Sequence, residues 1–189
     1  MTKPSQDLLT TDSKTSSENL GNLIEGIKDF NLSETDQLHM LEDAFTRKFP
    51  SLWALKYKTI KGKPLTFVST KNPFKHRPWQ QAILDDSHPN KVVEKSRQLG
   101  LSELNVTEVL QFLATHPQTK IMYTFPTYHQ MNDFSTTRVN PVFKDSEYLS
   151  SLLSNEVNNV STKKIGSSYL LMRSSSSGSI GEGADVDAA

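Results

Sequence analysis

The spacing of apolar residues divides the first part of the chain into a polar start and two helices. Residues 1–19 are mostly polar with few large apolar side chains, so they cannot offset the entropy lost on ordering, and we predict a disordered tail. Ser33 followed by Asp36 resembles a capping box and predicts the start of a helix that Pro50 ends. Apolar positions at steps of three and four predict a shorter helix before it (Leu20, Leu23, Ile24, Ile27) and supply the stripe of the longer one (Leu38, Leu41, Phe45, Phe49).

The pattern changes to alternation between Leu55 and Val68. The turn-like sequence at 61–64 lies in the middle of this stretch and predicts a β-hairpin whose lysines face solvent. Together with the two helices, this hairpin forms a predicted N-terminal region over residues 20–70.

From residue 71 to residue 189 short apolar runs alternate with helical periodicity. A strand at 91–94, a helix at 101–115 and a strand at 121–125 predict a parallel crossover. Thr127 is a predicted N-cap for a helix that carries Met131 and Phe134 and ends near Pro141. The pattern further predicts a helix at 145–155, a strand at 169–172 and a serine-rich loop from Arg173 to Gly178. The predicted class is α/β, with a parallel sheet flanked by helices and incomplete at its C-terminal edge.

Composition limits the classes of partner and site. Lys plus Arg and Asp plus Glu number 21 each, so the formal charge is zero and any contact with DNA must be local. The chain has no cysteine, and its five histidines lack the paired spacing of a zinc site, so we expect no metal site made of protein ligands alone. The polar start does not resemble a secretory signal and no apolar stretch is long enough to span a bilayer, so we expect a soluble intracellular protein.

Residues 95–102, Lys-Ser-Arg-Gln-Leu-Gly-Leu-Ser, are the most informative segment. They lie between the predicted strand and helix, where free amides at a helix N-terminus can surround phosphate. Gly100 permits close approach, and Ser102 occupies the magnesium-coordinating position of the pattern G-x-x-x-x-G-K-[ST]. Lys95 replaces the first glycine of that pattern, and Leu101 replaces its lysine. On spacing alone, a basic loop that only joins strand and helix fits equally well.

The string KSRQLGLSE resembles the deviant Walker A loop of tailed-phage terminase large subunits, a family in which the lysine is sometimes at the start of the loop. Residues 74–80 resemble the adenine-binding approach of that family, in which a Pro-x-Gln element precedes the first strand. Residues 123–127, with Gln130, Phe134 and Arg138, are similar to the strand and helix that follow the Walker A helix, and residues 181–185 resemble the stretch before the Walker B strand. The resemblance covers residues 65–187.

This resemblance implies a P-loop NTPase with a RecA-like sheet that binds ATP and Mg²⁺. Lys95 and Arg97 would act on phosphate charge as catalytic residues, Ser102 would coordinate Mg²⁺ and Gln80 would bind the adenine edge. Arg77 or Trp79 would stack on the base. The other residues that the resemblance places around the nucleotide are Ser96, Gln98, Leu99, Gly100 and Leu101. Arg138 would bind DNA or nucleotide. The alternatives are core packing for Trp79, a surface amide for Gln80 and a solvated helix side chain for Arg138.

The implied function is that of the N-terminal part of the ATPase that moves viral DNA into a capsid in the host cytoplasm. Its partners would be double-stranded DNA, the portal, the small terminase subunit and a complementing downstream terminase chain, with no membrane. Asp185 and Asp187 follow glycine and alanine instead of ending an apolar strand, and no nuclease carboxylate cluster is present, so we expect poor ATP hydrolysis and no DNA cleavage by this chain. A non-catalytic nucleotide- or partner-binding module and a helicase-like P-loop ATPase remain alternatives.

Overall fold

The computed structural model of the protein describes residues 21, 33–71 and 77–175, and the chain divides into two compact units, Met1–Phe45 and Thr46–Ala189. Several predictions concern segments outside these described residues. They are the tail, most of the helix at 20–27, residues 74–76 of the adenine-side match, the serine run beyond residue 175 and the 181–185 stretch. The domain boundaries drawn from the sequence stay predictions.

The first described helix, α1 (Glu34–Lys48), confirms the predicted capping signal. The Ser33 Oγ accepts a hydrogen bond from the Asp36 amide at 3.2 Å and donates to the Asp36 carboxylate at 2.6 Å. Acidic residues in its first turn and basic residues in its last turn complement the helix dipole. The apolar stripe is not uniformly buried, since Leu38 is 64% exposed.

The next helix, α2, spans Pro50–Tyr57. The hairpin predicted from Leu55 was therefore wrong over residues 55–57, which are helical. Pro50 suits the first turn of a helix because its missing N–H has no intrahelical acceptor there. The hairpin itself is confirmed but short, with β1 (Thr59–Ile60) antiparallel to β2 (Lys63–Pro64). Lys61 and Gly62 join the strands with φ values of 53° and 70°, which match the right-handed twist of a hairpin.

The predicted strand at residues 91–94 is wrong, because this segment has no regular structure. It follows α3 (Pro78–Asp85), whose Asp85 carboxylate accepts hydrogen bonds from the amide and hydroxyl of Ser51. Val92 is 100% exposed, and the Lys91 ammonium turns away to the Ile83 carbonyl and the Glu108 carboxylate. Val92 and Val93 are exposed, and no described strand pairs with this segment, so burial of apolar surface does not stabilise a strand here. The predicted strand–helix–strand crossover therefore lacks its first strand.

The main sheet is mixed, in the order β3–β6–β5–β4. Helix α4 (Leu101–Thr115) and strand β3 (Lys120–Phe125) confirm their predictions, and β6 (Ser168–Ser174) contains the strand predicted at 169–172. β3 and β6 are parallel, whereas β4 (Leu153–Asn158) and β5 (Thr162–Ile165), which were not predicted, form antiparallel pairs. The α/β class therefore holds, but the described sheet is not the wholly parallel one that was predicted. Arg173 and Ser174, predicted to lie in a loop, belong to β6.

A helical run connects β3 to β4. It begins with α5 (Tyr128–Phe134), where the Thr127 hydroxyl accepts a hydrogen bond from the Gln130 amide at 3.3 Å and confirms the predicted cap. The run does not end near Pro141 as predicted. It continues through a π-helical turn (Ser135–Val139) into α6 (Asn140–Asp145), whose first turn accommodates Pro141. The helix predicted at 145–155 is reduced to α7 (Glu147–Leu152) because β4 begins at Leu153.

Buried side chains of α2, α3, α4 and the sheet form one core in the second unit, which includes Trp53, Leu84, Leu110, Ile165 and Met172. α4 begins at the end of the 95–102 loop and buries its apolar side chains in this core. These contacts hold the N-terminus of the helix in place. Among the described residues, no helix is both long and apolar enough to cross a membrane.

Candidate nucleotide site

The 95–102 loop turns tightly before α4. Gln98 and Gly100 have φ values of 64° and 77°, in the left-handed region. Glycine adopts this region without steric cost, and Gly100 is the residue directly before the first turn of α4. The loop therefore brings its backbone onto the N-terminus of a long helix that is anchored in the core.

Most backbone amides of this loop have no acceptor among the described residues. The Leu99 amide closes the turn at Arg97 and Gln98, whereas the other amides from Ser96 to Ser102 donate no hydrogen bond within the described part of the chain. The next two amides, of Glu103 and Leu104, donate to the Gly100 carbonyl at 3.1 Å. Unpaired amides at the N-terminus of a helix carry partial positive charge and bind anions such as phosphate.

Arg77 and Gln80 pack against the loop at Gly100. The Gln80 side-chain amide donates to the Leu99 carbonyl at 2.8 Å. A Cβ on residue 100 would lie 2.8 Å from Arg77 Nη1 and 3.0 Å from Gln80 Nε2, so only glycine leaves room for both side chains. The structure thus brings together three residues that the sequence had predicted for the site: Arg77, Gln80 and Gly100.

These three residues line an open cleft of about 490 Å³, which we call the hairpin cleft. Its lining also includes residues of the hairpin and the segment after it, at positions 60, 61 and 63–67. We call the part that is lined by the first turns of α4 and by Lys58 the floor of the cleft.

The floor of the hairpin cleft holds a buried lysine that the sequence reasoning missed. Lys58 is 1% exposed, and its Nζ lies 2.6 Å from the Glu103 carboxylate, 3.1 Å from the Glu103 carbonyl and 2.5 Å from the Thr107 hydroxyl. Burial lowers the pKa of Lys58, and the neighbouring Glu103 carboxylate partly opposes this. The expectation that the hairpin lysines face solvent is wrong for Lys58, although Lys61 and Lys63 are exposed.

A sequence signal for this cluster was present in α4. Glu103, Thr107 and Gln111 recur at steps of four, so they lie on one face of a helix whose other inward positions are apolar. Buried polar groups require partners. Thr107 has Lys58, and the Gln111 side-chain amide donates to the carbonyls of Thr46 and Arg47 at 3.1 and 2.9 Å.

The remaining predicted site residues do not line the hairpin cleft. Lys95 is exposed, and the hydrogen bond of its Nζ is to the adjacent Ser96 carbonyl at 3.4 Å. Trp79 is 37% exposed, which is less burial than core packing would give. The others are exposed or half-buried along the loop: Ser96, Arg97, Gln98, Leu99, Leu101 and Ser102. Arg138 is exposed on the π-helical turn. The roles assigned to these residues stay predictions.

Ser102 fits a magnesium ion that is bound together with phosphate. Its side chain is exposed in the first turn of α4, and its hydroxyl has no hydrogen-bond partner among the described residues. Across residues 33–71 and 77–175, no cluster of three or more acidic or histidine side chains could hold a metal. Mg²⁺ commonly takes one or two protein oxygens and completes its shell with substrate phosphates and water. The residues present fit that arrangement.

A mixed α/β domain with an amide-lined loop at a helix N-terminus is the architecture of a nucleotide-binding protein. Comparison with protein families narrows this class. The family model described as the ATPase domain of the phage terminase large subunit gpA matches residues 62–182, which is more than half of the chain. The chain therefore belongs to this terminase family, and the predicted family is confirmed. The assignment of KSRQLGLSE as its Walker A loop stays a prediction.

Comparison of the chain with curated proteins and with solved structures found no match. Membership of the terminase ATPase family implies nucleotide binding and a role in phage DNA packaging. It also implies DNA and the packaging complex as partners in general. The RecA-like P-loop topology stays a prediction.

Proposed function

We propose that this chain supplies the ATP-binding part of the motor that translocates viral DNA into the capsid, and that the 95–102 loop receives the triphosphate. The observation that carries the proposal is that, within the described residues, the amides from Ser96 to Ser102 other than that of Leu99 are unpaired and lead into the N-terminus of α4. Two left-handed residues in this run turn the backbone tightly. Such concave backbone segments bind phosphate oxygens through several amides at once.

The hairpin cleft is the proposed site for the base. The Gln80 Nε2 already donates to the Leu99 carbonyl, and its Oε1 has no partner within the described residues. A carbonyl oxygen accepts from the exocyclic amino group of adenine, whereas guanine presents an oxygen at the equivalent position. Arg77, which approaches the same point of the loop, would stack on the base. This arrangement favours ATP over GTP.

Charge on the phosphates would be neutralised from the side of the loop that faces solvent. Lys95 and Arg97 are exposed there, so both can turn toward a bound triphosphate without breaking a buried contact. Ser102 would coordinate Mg²⁺ that arrives with the nucleotide. The Glu103 carboxylate at the cleft floor is paired with Lys58, so it adds little negative charge near the phosphates.

Isothermal calorimetry of ATP binding tests this proposal with one matched pair of variants. Lys95→Ala should abolish measurable ATP binding because it removes the charge assigned to the β- and γ-phosphates. Lys48→Ala, an equally exposed lysine at the end of α1, should leave the affinity unchanged. Equal affinity for wild type and Lys95→Ala would remove the role of Lys95. If the wild type itself retains no ATP, the proposed function fails.

The proposed function also involves partners in the packaging complex. We place double-stranded viral DNA, the portal and the small terminase subunit around the assembled motor. DNA should be held through its phosphates, because the chain has no net charge to attract it and a motor must move along any sequence, so binding should weaken as salt rises. A strand-separation assay addresses the helicase alternative: unwinding of a duplex would favour the helicase class over the packaging motor.

A further inference from the structure

A second cleft lies between α6, α7 and the β4–β5 hairpin. Its volume is about 380 Å³, and it shares no lining residue with the hairpin cleft. Its lining includes the lysines Lys144 and Lys163 and the asparagines Asn140, Asn158 and Asn159, but no aspartate or glutamate. We call it the Lys163 cleft.

Lys163 is a buried cation that has no counter-charge among the described residues. It is 1% exposed, and its Nζ donates to the Asn158 side-chain oxygen at 3.0 Å and to the Asn159 carbonyl at 3.1 Å. In the part of the chain that the structure describes, no carboxylate forms an ion pair with Lys163. An ammonium has three N–H groups, so one donor remains after these two bonds. Burial lowers the pKa of Lys163, as expected for a cation that neutral groups alone stabilise.

Several polar groups in the Lys163 cleft that have no hydrogen-bond partner within the described residues are donors, beside the acceptor oxygens of Asn140 and Ser150. The Asn158 side-chain oxygen is taken by Lys163, so the Asn158 amide nitrogen remains. The Asn159 side-chain oxygen accepts from the Ser161 and Thr162 amides at 3.0 and 2.8 Å, which fixes the turn between β4 and β5. The exposed Lys144 ammonium adds a second positive charge at the cleft. Donors and cations without acidic residues form a site for an anion.

We infer that the Lys163 cleft binds the phosphate group of a sugar phosphate, with Lys163 as the buried donor and Lys144 as the solvent-side cation. Apolar side chains in the same lining, Phe143, Leu153 and Val160, suit the carbon atoms of a sugar ring. The phosphate comes either from a DNA strand or from a free nucleotide. This inference does not depend on the nucleotide role of the 95–102 loop, because the two sites use different residues.

Nuclear magnetic resonance of the lysine side chains of the whole chain tests the site directly. The probes are inorganic phosphate and a short DNA duplex, each compared with sodium chloride at the same ionic strength. We expect the Lys163 signal to shift with phosphate and the pKa of Lys163 to rise, because a bound anion stabilises the charged form. The Lys163 signal is identified by its loss in Lys163→Gln. If the duplex also shifts the signal, the source is DNA, and if only phosphate does, the source is a small phosphate ester.

The matched variants are Lys163→Gln, Lys144→Gln and Lys164→Gln. Lys164 follows Lys163 on β5 and lies on the other face of the strand, so it is a control with the same change in charge. We expect about tenfold weaker phosphate binding for the first two variants, as is typical when a charged hydrogen bond is lost, and no change for the third. If Lys163→Gln does not fold, Lys163→Arg, which keeps the charge, identifies the Lys163 signal, and the Lys144→Gln variant and the wild-type titration decide. A Lys163 signal that neither probe moves, or equal affinity in Lys144→Gln and Lys164→Gln, overturns the inference.

Discussion

Replacement of Gly100 by alanine separates the role of this glycine in the site from its role in the backbone. The backbone at Gly100 has a φ of 77°, which costs an L-residue about 1 kcal/mol. The added Cβ would also lie 2.8 Å from Arg77 Nη1 and 3.0 Å from Gln80 Nε2. Both atoms end flexible side chains that can move away. The main further cost is therefore the hydrogen bond from Gln80 to the Leu99 carbonyl, worth about 1 kcal/mol. We expect Gly100→Ala to lower the free energy of unfolding by about 2 kcal/mol.

Gly166→Ala is the matched control for this change. Gly166 also has a positive φ, 58°, but a Cβ there would meet nothing within 4 Å. It should lose only the backbone contribution of about 1 kcal/mol. Urea unfolding of both variants gives the difference, and calorimetry with ATP should show weaker binding for Gly100→Ala alone. Equal losses of stability in the two variants would show that the contacts of Arg77 and Gln80 with the loop do not contribute to the free energy of unfolding.

Three further predictions concern Ser102 and the buried lysines. Ser102→Ala should weaken ATP binding only when Mg²⁺ is present, and an equal loss in calorimetry with and without Mg²⁺ would exclude coordination. Glu103→Gln should destabilise the fold by about 3 kcal/mol, because it leaves Lys58 buried without its counter-charge. Lys58→Met should cost less, since the partly exposed Glu103 can be hydrated, so the reverse order in urea unfolding would contradict the pairing. Because burial lowers the folded-state pKa of Lys163, the unfolded chain binds more protons as the pH approaches 10.5. The contribution of Lys163 to the free energy of unfolding should therefore rise with pH in that window, so Lys163→Met should lower the slope of the unfolding free energy against pH relative to the wild type.

Local sequence signals predicted the elements whose determinants are themselves local. The caps at Ser33 and Thr127 depend on residues three positions apart, and both are present. The long apolar periodicity of α4 and the apolar run of β3 also predicted those elements within a residue or two. Gly100, predicted to permit close approach to the loop, has a positive φ directly before α4, but its role in phosphate binding stays a prediction.

The failures arise where structure depends on distant partners. The valines at 92 and 93 predict a strand only if another strand covers them, and none among the described residues does. β4 and β5 are polar strands that the Asn159 turn and the pairing with β6 hold in place. Lys58 is buried because Glu103 and Thr107, far along the chain, satisfy its charge and hydrogen bonds. In the candidate site, the family resemblance predicted Arg77, Gln80 and Gly100. Lys58, which lines the same cleft, was not predicted because its burial depends on contacts with residues distant in sequence.

We propose that the unpaired amides between Ser96 and Ser102 receive the triphosphate of ATP. Titration of the isotope-labelled chain with ATP, followed through backbone amide resonances, measures this contact residue by residue. We expect the largest shifts on the amides of the 96–102 loop other than that of Leu99, whereas those of Glu103 and Leu104, already bonded to Gly100, should move less. Saturable ATP binding that leaves the loop amides unchanged and shifts another part of the chain would contradict it.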